Sequence, residues 1–157
     1  MKSEPVTRES YIELLAEITN GNVDAYEYLL LMGDVFRAWD DLYDSDAVPA
    51  PAMADRIFSE LTFNLSRNKF FREHRNALEA FIFTAWNAWK DSNTWKGSED
   101  KLKGSCAWLI RDYCNEIDQL VAWLVGGVEH ARNISLKCRE FYLNQLVSRG
   151  WDGFIKD

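Results

Sequence analysis

The first residues whose type and spacing could do chemistry are Asp40, Asp41 and Asp44, within the stretch Met32-Gly-Asp-Val-Phe-Arg-Ala-Trp-Asp-Asp-Leu-Tyr-Asp44. On a helix, residues three and four apart are neighbours, so Asp44 adjoins both Asp41 and Asp40. Carboxylates grouped in this way can hold Mg²⁺, an ion that takes oxygen ligands and bridges to substrate phosphates. The same helix also has a simpler reading. Leu31, Met32, Val35, Phe36 and Trp39 fall on one half of it, and Glu27, Asp34, Arg37, Asp40, Asp41 and Asp44 on the other, as on an ordinary amphipathic surface helix. Arg37, three residues after Asp34 and four before Asp41, balances charge without a metal. The reading therefore favours no cofactor, with a Mg²⁺ site at Asp40, Asp41 and Asp44 as the alternative.

The string Asp40-Asp41-Leu42-Tyr43-Asp44 resembles the DDxxD motif of isoprenoid-diphosphate synthases, a resemblance that implies Mg²⁺ and a diphosphate substrate. It covers these five residues alone. Those enzymes are longer and carry a second acidic helix motif, and Asp112-Tyr-Cys-Asn115-Glu116-Ile-Asp118 does not match it.

A second group of polar residues, Glu79, Asn87, Asp112, Asn115 and Glu116, is placed by the helical pattern on two successive helices. They can line a polar pocket between those helices, or form a network that fixes helix order. His74 and His130 lie in neither an HExxH nor any other ligand spacing, and Ser105 and Ser135 have no diagnostic partners. Cys106, Cys114 and Cys138 are an odd number without zinc spacing, and read as small core residues in a reducing compartment. No glycine-rich phosphate loop occurs. The catalytic residues are left unknown, and the chain reads more as a binding protein than as an enzyme.

The elements that must position these residues are all helices. Apolar residues recur at helical spacing with no alternating strand pattern, which predicts an all-α, single-domain bundle of about six helices over residues 1–157. The expected helices cover about Thr7–Thr19, Asn22–Asp44, Ala52–Leu65, Asn68–Lys90, Ser98–Val125 and Val128–Val147. Asn20-Gly21, Pro49-Ala50-Pro51, Ser92–Gly97 and Gly126-Gly127 separate them. Residues 76–90 are apolar round most of the helix and are expected at its centre. On the fifth helix Cys106, Leu109, Ile110, Tyr113, Ile117, Leu120, Val121 and Leu124 make an inner stripe, leaving Trp108 and Trp123 outside. Exposed Trp is enriched where proteins meet, so these two are the candidate partner-binding residues, with a second copy of the chain as a possible partner. The tail aromatics Trp151 and Phe154 are expected to fold back onto the bundle.

Three blocks, Trp39-Asp-Asp-Leu-Tyr-Asp44, Leu65-Ser-Arg-Asn-Lys-Phe-Phe71 and Leu124-Val-Gly-Gly127, resemble a family of small helical proteins encoded by phages and prophages. The resemblance implies such an origin, an accessory role and a place in the cytoplasm of a bacterial host. It brings no active site. In physical terms Arg67-Asn68 caps the fourth helix, and the paired glycines supply a turn.

Composition agrees with a folded domain. Of 157 residues, 47% are hydrophobic and 14% aromatic, too apolar for a disordered polymer. The net charge of −7 is uneven: residues 1–60 hold 13 acidic against 4 basic side chains, and residues 61–157 hold 12 against 14. An acidic protein lacks the positive field that nucleic acid requires, although Arg67, Lys69, Arg72, His74 and Arg75 cluster around Phe70 and Phe71. Nucleic acid is therefore not the expected partner. No apolar run reaches membrane-spanning length, and the N-terminus has no leader-like apolar segment, so a membrane is not expected either.

Overall fold

Polar side chains at the helix starts dictate where most helices begin. The computed structural model describes residues 7–44 and 51–148, with the backbone alone at Asp44, Ala52, Met53 and residues 146–148. Thr7 accepts from the Ser10 amide while Ser10 accepts from the Thr7 amide, a reciprocal cap that opens α1 (Arg8–Thr19). Asn20 ends it in the left-handed conformation at φ 48°. Asn22 then accepts from the Ala25 amide at 3.0 Å and starts α2 (Val23–Asp44). Next comes α3 (Pro51–Ser59), which widens into a π turn at Glu60–Asn64. Asn68 caps α4 (Lys69–Trp95) by accepting from the Phe71 amide at 2.8 Å, and its amide group also donates to the Asp24 carbonyl of α2. One side chain thereby starts a helix and ties it to another.

The fifth expected helix departs from expectation in a way that matters for the site. A single helix was expected from Ser98 to Val125, but the chain forms α5 (Lys101–Arg111), a 3₁₀ turn at Asp112–Glu116, and then α6 (Ile117–Ser148). A 3₁₀ turn advances 120° per residue against 100° in an α-helix, so five such residues rotate the preceding face by about 100°. The expected inner stripe is therefore split. Ile117 and Val121, after the turn, are buried; Leu109 and Tyr113, before its end, are exposed. The polar segment after Lys90 is also helical, as far as Trp95, because the Ser92 hydroxyl bonds the Trp89 carbonyl and Asn93 is held by α5.

Within α6 the backbone breaks at Gly127, φ 76° and ψ −172°, and the chain turns back on itself. Arg139 reaches Glu116, and Tyr142 reaches Asp118, across the resulting hairpin. The Gly126-Gly127 break expected from the sequence is thus present. His130, just past it, lies 3.0 Å from the Ile18 carbonyl at the end of α1.

Every regular element among the described residues is helical, so the protein is all-α. Its main core draws on Leu15 and Ile18 of α1, Tyr28 and Leu29 of α2, Phe70 and Leu78 of α4, and Val121, Ala122, Ile134 and Cys138 of α6. Helix α5 packs along the later half of α4, outside that cluster. Helix α4 touches α2, α5 and α6, but one flank remains open: Phe83 is 62% exposed and Trp86 46%. No described helix is long and apolar enough to cross a membrane. Trp151, Phe154 and the Pro49-Ala50 linker lie outside the described residues.

Candidate functional site

Trp89 of α4 is the residue around which most of the singled-out chemistry gathers. It is buried, and its indole N–H donates to Asp40 Oδ1 of α2 at 3.0 Å. Arg111, the last residue of α5, donates to the same oxygen from Nη2 at 2.5 Å, and from Nη1 to Asn93 Oδ1 at 2.6 Å. Its guanidinium lies 5.5 Å from the Trp89 ring centre, within cation–π range. Tyr43 meets the Trp89 ring edge-on at 4.6 Å, Trp39 lies 6.1 Å away, and Lys90 sits over Tyr43 at 5.1 Å. Three helices are therefore joined by one carboxylate, one guanidinium and one indole, with half-exposed aromatics at the rim. The remaining Asn93 amide nitrogen is buried without a partner.

This arrangement defines what Asp40 does. Its Oδ1 is shared by two donors, which makes it the anchor of an interhelical tie. Asp41 is half-buried beside it, and the Asp44 side chain lies outside the described residues. Among the described residues no three His, Cys, Asp or Glu side chains stand close enough to hold a metal ion.

The second set of candidates is dispersed. Glu79 is exposed and accepts from Arg75 one turn earlier at 2.7 Å, and Asn87 faces outward on the same helix. Glu116 turns away to the second limb of α6, where Arg139 holds it at 3.0 Å, and it also accepts from Gln119. Asp112 and Asn115 are half-buried on the 3₁₀ turn. The structure thus keeps Asp112, Asn115 and Glu116 together by chain continuity and does not bring Glu79 and Asn87 into one pocket with them. A separate open groove of about 440 Å³ lies between α2, α3, the π turn and the start of α4, lined by Asp24, Glu27, Arg56, Glu60, Asn64 and Arg67 among others.

Two of the three cysteines and both histidines have surroundings that define them. Burial pushes the Cys114 thiol up to about 12, helped by Asp112 and Asp40, and the Cys138 thiol likewise up to about 12, helped by Asp118. Neither is a thiolate at neutral pH. His74 packs its ring 4.8 Å from Phe70, and His130 bonds the α1 carbonyl. Phe70 and Phe71 are buried against Tyr28, so the basic cluster around them has no free ring on which a base could stack.

Trp108 and Trp123 are 44% and 48% exposed, on α5 and on the first limb of α6. Two participants escaped the sequence reading. Trp89 looked like one more apolar residue of α4. Asp118 was quoted only as the end of an acidic stretch, although it precedes Val121 and Ala122 by three and four residues and is as buried as they are. That spacing was the available signal. No family model matches the chain, and comparison with curated proteins and with solved structures gives no match.

Proposed function

We propose that this protein acts by binding another protein, with a second copy of itself as the simplest partner, through exposed aromatic side chains of α4, α5 and α6. The observation that carries the reading is the exposure of Phe83, Trp86, Trp108 and Trp123 while the main core closes without them. Large aromatics supply most of the free energy at interface centres, and Trp, Tyr and Arg dominate such positions. The tie at Trp89 supports the reading indirectly: it fixes α5 against α2 and α4, so that a partner would meet a preorganised surface. The resemblance of three sequence blocks to small phage proteins suits an accessory factor of this kind. Sedimentation at micromolar concentration should show a dimer or larger species. The pair Trp108→Ala and Trp123→Ala should shift it toward monomer with helix content unchanged. A wild-type chain that stays monomeric at high concentration removes self-association.

A further inference from the structure

Asp118 is 2% exposed and is the one fully buried carboxyl among the described residues. Its Oδ2 accepts from the Tyr142 hydroxyl at 2.7 Å. The two residues belong to opposite limbs of the α6 hairpin, so this contact is a cross-link between them. Around it stand Tyr11 from α1, Glu116 from the 3₁₀ turn, and Cys138 and Tyr142 from the second limb, with Asp34 of α2 reaching the same group through Tyr11. None of these is a cation. Arg139 is turned to Glu116, and Lys137 is turned to Glu17. Nor does the start of α6 lend an obvious positive pole, since the Ile117 amide already donates to the Asn115 and Cys114 carbonyls. Gly33 completes the enclosure, because a Cβ there would stand 3.0 Å from the Tyr11 hydroxyl.

A carboxylate in such a place faces the desolvation cost of a buried charge with a single phenol to offset it. We propose that Asp118 is a proton-operated latch: the closed α6 hairpin holds it as the neutral acid, and release of the proton to solvent accompanies parting of the two limbs at Tyr142. Burial raises the acid to about 7, while the Tyr142 hydrogen bond opposes the rise and Glu116 adds to it. The opened or unfolded chain has an ordinary carboxyl. Between the ordinary carboxylate range and pH 7 the closed form therefore holds one proton more than the open form. Closure is favoured most at the acid end of that window, weakens as pH rises through it, and changes no further above it.

Hydrogen exchange read across this window tests the latch in the intact chain. After correction for intrinsic rates, protection of amides near Asp118 and Tyr142 should fall by up to tenfold per pH unit from about pH 5 to 7, then level off. Asp118→Asn, which is neutral at every pH, should flatten that profile. Carbon NMR of the wild-type Asp118 carboxyl gives a readout that needs no variant to fold, and a midpoint above 6 is expected. A midpoint in the ordinary carboxylate range, or an Asp118→Asn profile as steep as the wild type, would overturn the proposal.

Discussion

At the scale of single residues, the consequence of the Trp89 tie is that its members are unequal. The Arg111 side chain is 16% exposed and Asp40 43%, so the pair lies between a surface ion pair, worth less than about 1 kcal/mol, and a buried one, whose breaking costs about 3–5 kcal/mol. Arg111→Ala also removes the partner of Asn93 and the cation over Trp89. It should lower stability by about 2 kcal/mol in urea unfolding, whereas Arg75→Ala, which breaks an exposed pair with Glu79 within one helix, should cost a few tenths. Equal effects would mean that the interhelical tie contributes no more than a surface contact. Asn68 belongs to the same scale. Its side chain satisfies the Phe71 amide and the Asp24 carbonyl together, so Asn68→Ala should cost about 1–2 kcal/mol, more than a cap alone would predict on average.

At the scale of elements, the legible and illegible parts of the fold divide by range. Helix starts at Thr7, Asn22 and Asn68 and the break at Gly127 were readable because each is decided by neighbours within four residues. The 3₁₀ turn at Asp112–Glu116 was not: four of the residues in Asp-Tyr-Cys-Asn-Glu are weak helix formers, but the segment carries no Gly or Pro to mark a break. That single local change reversed the expected exposure of Leu109 and Tyr113. The candidate site was less legible still: Asp40 was singled out, but its donors lie 49 and 71 residues away, a pairing no periodicity reveals.

The α6 hairpin offers a test of this element-level reading. A Cβ at Gly126 would stand 2.6 Å from the His130 ring, displacing it from the Ile18 carbonyl, whereas a Cβ at Gly127 meets nothing within 4 Å and suffers only from its positive φ. Gly127→Ala should therefore destabilise by about 1–3 kcal/mol through backbone strain alone, since its φ and ψ lie in a region essentially confined to glycine. Gly126→Ala should destabilise in the wild type and cost less in a His130→Gly background, because the His130 Cβ and ring carbons that a Cβ at Gly126 would meet at 2.6–2.7 Å are absent there. Additive costs in that double-mutant cycle would show that a Cβ at Gly126 does not meet the His130 side chain.

At the scale of the whole molecule, charge and apolar surface push association in opposite directions. The chain carries a net −7, so two copies repel at long range, and the repulsion is strongest at low ionic strength. The proposed contact is aromatic, and apolar burial is not weakened by ordinary salt. Raising NaCl from about one Debye length near 10 Å to about one near 4–5 Å should screen the repulsion while leaving the attraction in place. Self-association measured by sedimentation is therefore expected to strengthen, or at least hold, between about 0.1 and 0.5 M salt. The opposite trend, dimers that dissociate as salt rises, would show that the copies meet through complementary charges, such as Lys101 and Lys103 of α5 against the acidic N-terminal helices, and not through Trp108 and Trp123. Because the aromatic contact predicts one sign and the ionic contact the other, the salt series assigns the surface without any mutation that puts the fold at risk.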